Sequence, residues 1–97
     1  MTKTLARAEI DAALSGLPGW MFANDALAKE FKFADFRAAL AFMVRVGFEA
    51  EALDHHPEWT NVYNRVSIRL NTHTADGKVT MKDVELAKRI EKVAAAK

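Results

Sequence analysis

The sequence predicts a two-layer α+β fold, a four-stranded antiparallel sheet with helices packed on one face, in the order α-β-β-α-β-β-α. Two observations carry this. Apolar residues alternate with a period near two in two separate stretches, and they recur with a helical period before, between and after them. Short clusters rich in Gly, Pro, Asn and Asp punctuate the boundaries. No internal repeat, low-complexity tract or linker divides the 97 residues, so a single domain over residues 1–97 is expected.

Thr4 is placed to cap a first helix whose Ile10, Leu14 and Leu17 share a face, and Gly16, Pro18 and Gly19 then stop it. Residues 20–22 and 27–33 read as two strands joined around Asn24-Asp25. In the second, Leu27, Phe31 and Phe33 alternate with Ala28, Glu30 and Lys32, while Lys29 breaks the pattern. From about Asp35 to Leu53 the period becomes helical, with Phe36, Ala39, Leu40, Met43, Gly47 and Ala50 on one face. Phe42, Val46 and Phe48 make the other side apolar too. That fits either a helix sandwiched inside its own domain or one that forms a subunit interface. Pro57 forces the end of this helix, because the residue before a proline is pushed out of the α region.

Residues 62–72 form one long strand or a hairpin, with Val66, Ile68 and Leu70 alternating against Ser67 and Arg69. The hairpin is the preferred reading, turning at Asn64-Arg65, since Asn tolerates the positive φ of a tight turn. It would bring position 73 opposite position 56. Asp76-Gly77 marks a loop, and Thr80-Met81-Lys82-Asp83 resembles a capping box with Asp in place of Glu. Leu86, Ile90 and Val93 make the stripe of a last helix.

Composition narrows the function classes. With 51% hydrophobic residues the chain can bury a core, and no metal or disulfide is needed to explain folding. It has no cysteine, which excludes thiolate chemistry and thiolate metal sites. The net charge is +1 with acids and bases mixed, so the basic stripe of a nucleic-acid binder is missing. No apolar run approaches a membrane span, and the start lacks a signal-peptide core. Acidic residues near the N-terminus argue against a transit peptide, and a cytoplasmic protein is expected.

The chemistry concentrates in His55, His56 and His73, all three histidines of the chain within nineteen residues. Adjacent side chains diverge on any regular element, so His55 and His56 must divide their labour. Imidazole, with an unperturbed pKa of about 6.5, both donates and accepts protons near neutrality, and a cluster of three suits general acid–base work. Zinc is the competing reading, with Glu51, Asp54 or Glu58 as further ligands. Ligands one residue apart diverge, however, and no HxxxH or HExxH spacing appears, so no metal is expected. Glu51 lies one turn before His55, close enough to orient its imidazole. Asp83 is most simply a helix cap. Trp20 suits the core or, near a site, a platform for a heterocycle. Ser67 has no histidine at a triad-like spacing.

Glu51-Ala52-Leu53-Asp54-His55-His56-Pro57-Glu58-Trp59 resembles the pterin-4a-carbinolamine dehydratase family. The resemblance runs on through Asn61-Val62-Tyr63-Asn64-Arg65-Val66, Leu70, Thr72-His73 and Asp83 with Leu86-Ala87. The spacing is specific: Glu, three residues, His-His-Pro, five residues, Tyr, nine residues, His, nine residues, Asp. Gly19-Trp20, Phe31-Lys32-Phe33, Asp35-Phe36, Ala41-Phe42-Met43 and Arg45-Val46 extend it over about residues 20–90. The resemblance implies a lyase that removes water from a 4a-hydroxy-tetrahydropterin to give the quinonoid dihydropterin, in recycling of tetrahydrobiopterin, with no cofactor beyond the pterin substrate. It implies His55 and His73 as the acid–base pair, His56 chiefly as a substrate-holding residue and Glu51 as the group that orients the cluster. Asp54, Pro57, Thr72 and Thr74 would line the pterin pocket, and Trp20 would wall it. A homo-oligomer, dimer or tetramer, is expected. Some family members also serve as dimerisation partners of a homeodomain transcription factor, an alternative role as an interaction module.

Overall fold

Asn24 and Asp25 both take positive φ, 51° and 59°. Such a two-residue turn matches the twist of flanking strands, and it folds β1 (Met21–Ala23) back on β2 (Ala26–Lys32). A second hairpin joins β3 (Glu58–Val62) to β4 (Arg65–Leu70), and β4 pairs with β2. The computed structural model, which describes residues 3–96, therefore holds a four-stranded antiparallel sheet in the order β1-β2-β4-β3. Leu27 and Phe31 of β2 and Val66, Ile68 and Leu70 of β4 are buried on its inner face. Helices α1 (Arg7–Leu14), α2 (Phe36–Ala52) and α3 (Met81–Ala95) contribute Ile10, Val46 and Ile90 to the same core. The fold class and element order are those expected from the sequence. Among the described residues no helix is long and apolar enough to cross a membrane.

Several local expectations are corrected. Thr4 does not cap α1. It forms an isolated bridge with Thr80, and Ala6 stands at the N-cap, its N–H donating to Glu9 Oε1 at 2.8 Å. Leu17 is buried beyond the helix end rather than within it. Lys29 stays in register opposite Ile68 on the inner face. Its stem passes beside Gly19, and its ammonium reaches Glu91 and the Pro18 carbonyl, both at 2.8 Å. The break in alternation is thus an ion pair to α3.

The core face of α2 is also not the one expected. Ala39, Phe42, Val46 and Ala50 are buried, and Phe42 packs on Phe31 and Phe33 with ring centroids 4.9 and 4.8 Å away. Phe36, Leu40, Val44 and Phe48 are left on the outside, Phe48 at 72% exposure. With apolar residues nearly all round, periodicity alone could not choose the side; the large ring of Phe42 filling the space under the sheet decides it.

The second hairpin turns at Tyr63-Asn64, one residue earlier than expected, so that Val62 pairs with Arg65. The reason is tertiary. Asn64 exchanges bonds with the end of β2, its carbonyl accepting from Phe33 N–H at 2.8 Å and its amide donating to the Phe33 carbonyl at 2.9 Å. Asn61 braces the turn by donating to the Tyr63 and Arg65 carbonyls. Tyr63 is left with the positive φ, 51°. The ladder stops at Leu70, so His73 does not pair opposite position 56. It opens a 3₁₀ turn, His73–Ala75, which Thr72 anchors by donating its N–H to the Lys78 carbonyl at 2.8 Å.

Candidate active site

The site begins where α2 stops. Asp54 takes φ 50°, its N–H bonds to the Glu51 carbonyl at 3.0 Å, and His55 N–H bonds to the Ala50 carbonyl at 3.0 Å. This pair of bonds is a Schellman motif with Asp in the left-handed position usually held by Gly. The helix therefore ends through Asp54, ahead of Pro57. The sharp left-handed turn sends successive side chains in opposite directions. His55 goes inward, 8% exposed, and His56 goes out to solvent.

His55 Nε2 lies 2.5 Å from Asp83 Oδ1. Asp83 is fully buried, and its other oxygen accepts from Thr72 Oγ1 and from Thr80 N–H, both at 2.8 Å. The Thr72 proton goes to Asp83, so the Thr80 hydroxyl donates to Thr72 Oγ1 across their 2.6 Å contact. Thr80 Oγ1 in turn caps α3 by accepting from Lys82 N–H. A buried carboxylate is tolerated only when donors surround it. This one has three, from three separate segments: the tail of α2, the end of β4 and the start of α3. The capping box expected at Thr80 and Asp83 is present. What the sequence reading missed is that the same carboxylate holds His55.

Glu51 does not reach His55. Its Oε1 is 2.8 Å from His56 Nε2, in a solvent-exposed pair. A helical one-turn spacing assumed that residue 55 continues the helix, and the chain has already turned at Asp54.

The three imidazoles meet at a cleft of about 290 Å³ lined by Asp54, His55, His56, Asn71, Thr72, His73, Thr74 and Lys82. His73 and Thr74 come from the exposed 3₁₀ turn, and Lys82 from the first turn of α3. A larger cavity of about 420 Å³ between α2 and α3 has no histidine in its lining. Among the described residues His55 Nδ1 makes no hydrogen bond and no buried side-chain nitrogen or oxygen lacks a partner, so Nδ1 is not fully buried. Among the described residues no group of three or more His, Cys, Asp or Glu side chains is placed to hold a metal ion.

Asn71 and Lys82 line the cleft and were not foreseen. Strict alternation puts Asn71 and Thr72 on opposite faces of a strand, but β4 has ended at Leu70 and both turn toward the cleft. Lys82 could have been found by asking what stands beside Asp83. Trp20 lies outside the cleft, buried edge-on against Phe31, with its indole N–H bonded to Glu91 at 2.9 Å. Glu91 stands eight residues beyond Asp83 on α3, roughly 12 Å along the helix from the cleft. Pro57 is half-buried and is not among the lining residues.

Residues 3–93 match the sequence profile of the family described as pterin 4 alpha carbinolamine dehydratase. The chain belongs to this family. A relative from Opitutus terrae named as a pterin-4-alpha-carbinolamine dehydratase is 58% identical over 93 residues, covering 96% of both chains. One of the same name from Rhizobium leguminosarum is 52% identical, covering 94% of this chain and 91% of the relative. The crystal structure of a transcriptional coactivator/pterin dehydratase from Brucella melitensis superposes with a TM-score of 0.91 at 40% identity. It covers 96% of this chain and 100% of that one. As a pterin-4a-carbinolamine dehydratase the protein is a hydro-lyase.

Proposed function

We propose that the protein dehydrates 4a-hydroxy-tetrahydrobiopterin to the quinonoid dihydropterin in the recycling of tetrahydrobiopterin, by histidine general acid–base catalysis. The observation that carries this reading is the convergence of His55, His56 and His73 on one cleft of about 290 Å³. The substrate already holds a nitrogen lone pair next to the carbon that bears the hydroxyl. That lone pair forms the new C=N bond as the C4a–O bond breaks. One imidazole protonates the departing oxygen, which leaves as water, and another accepts a proton from the pterin ring. Positioned groups of this kind are worth about 10²–10⁴-fold. His55 and His73 take the transfer roles, and His56, held by Glu51, binds the ring. Asp54 and Thr74 offer it hydrogen bonds, and Thr72 lines the cleft.

The reaction needs neither electron transfer nor a metal. Protein dialysed against chelator and added to enzymatically generated 4a-hydroxy-tetrahydropterin should speed the ultraviolet change that marks dehydration. Loss of all activity with chelator, restored by zinc, would contradict the reading.

The protein acts as a homo-oligomer in this account, dimer or tetramer. The support is the stripe of Phe36, Leu40, Val44 and Phe48 along α2, exposed at 46, 46, 51 and 72% in the single chain. A second role as a coactivator-type interaction module has one specific support, the name of the Brucella melitensis structure. It would use the same stripe.

A further inference from the structure

Among the described residues Lys82 brings the only permanent positive charge to the lining of the histidine cleft. Its ammonium makes no hydrogen bond or ion pair with any described residue, and only its backbone N–H is engaged, by Thr80. Its position is electrostatically awkward. Lys82 is the second residue of α3, in the first turn, where the helix dipole already presents partial positive charge. Helix starts favour acids there, and Asp83 beside it meets that preference. A cation added at this point is unfavourable by itself and becomes favourable when an anion sits next to it.

The space around Lys82 supports the same conclusion. The side chain borders the cleft on one side and, on the other, a second hollow of about 230 Å³ floored by Leu53 and Met81. A pterin ring held among the imidazoles thus has room for its side chain to run past Lys82. Two carboxylates stand on the same walls. Glu85 is answered by Arg89 at 3.6 Å, and Asp54 lines the cleft together with Lys82 without forming an ion pair to any described residue.

We infer that, beyond the neutral side chain of biopterin, the site accepts and favours pterin carbinolamines whose side chain carries an anionic group, phosphate or carboxylate, which Lys82 binds at the mouth of the cleft. This rests on the dehydratase reading above and names its substrate class. A charge-assisted bond of this kind corresponds to roughly tenfold or more in affinity.

The test compares three 4a-hydroxy-tetrahydropterins, with a neutral hydroxylated side chain, a phosphorylated one and an arylcarboxylate one, on the wild type, Lys82→Gln and Lys82→Arg. The wild type is expected to favour at least one anionic substrate by about tenfold in kcat/KM, chiefly through KM. That ratio should collapse toward one in Lys82→Gln and survive in Lys82→Arg. Which anionic substrate is favoured separates phosphate from carboxylate. Equal kcat/KM on all three in the wild type, or an unchanged ratio in Lys82→Gln, would overturn the inference. Kd values for the corresponding oxidised, unreactive pterins decide it without turnover. If no carbinolamine is dehydrated, the dehydratase reading fails, and the anionic preference stands or falls on binding.

Discussion

His56 and Asp83 separate most cleanly what each site residue does. His56 is exposed and paired only with Glu51. His56→Ala should leave the fold intact and raise KM by about tenfold, with kcat within a few-fold, in steady-state kinetics. Asp83 is different because two roles meet in one carboxylate. A carboxylate only accepts, so the bond to Asp83 takes its proton from His55 Nε2 and leaves Nδ1 without a partner among the described residues. Asp83→Asn keeps one acceptor oxygen for Thr72 and Thr80 but offers His55 an N–H, which reverses the tautomer. The expected outcome is a kcat loss of about 10²–10⁴-fold with a modest change in melting temperature. Asp83→Ala leaves three buried donors without an acceptor and should cost about 3 kcal/mol or more in denaturant unfolding. Near-wild-type kcat in Asp83→Asn would reduce Asp83 to a cap.

At the scale of elements, the end of α2 does the positioning. Asp54 holds a left-handed conformation that costs an L-residue about 1–2 kcal/mol, and the reversal it creates sets His55 inward and His56 outward. Asp54→Gly should therefore raise stability by up to about 1 kcal/mol, and Asp54→Val should lower it by more than that, as read by thermal melts. How much of this was legible in the sequence depends on the range of the forces involved. Some local signals held, since Thr80 and Asp83 cap α3 and Asn24-Asp25 makes a turn, whereas the cap read at Thr4 did not form. The histidine neighbourhood was legible too, although the hairpin register used to foresee it was off by one turn position. Illegible features were those fixed by distant partners. Asn64 moved the second turn because it bonds Phe33, and Glu91 holds Lys29 on the inner face and Trp20 away from the cleft. No local pattern encodes those partners.

At the scale of the whole molecule, one layer of helices on an antiparallel sheet leaves α2 apolar on both sides, and only one side has a sheet to cover it. Phe48→Glu together with Leu40→Glu should reduce the sedimenting species to a monomer while the helical circular dichroism stays unchanged. A wild type that already sediments as a monomer would refute the oligomer. The sheet and helices otherwise serve to bring three chain segments to one corner, where the imidazoles meet. His73 is the cleanest probe of that corner, because it is exposed and bonds to nothing that holds the fold. The decisive measurement is the ultraviolet decay of enzymatically generated 4a-hydroxy-tetrahydrobiopterin at saturating concentration, with wild type and His73→Ala of equal melting temperature. The account predicts that the wild type accelerates the decay and that His73→Ala loses about 10²-fold or more of that acceleration in kcat. A His73→Ala rate equal to that of the wild type, or a wild-type rate equal to that of buffer, would contradict it.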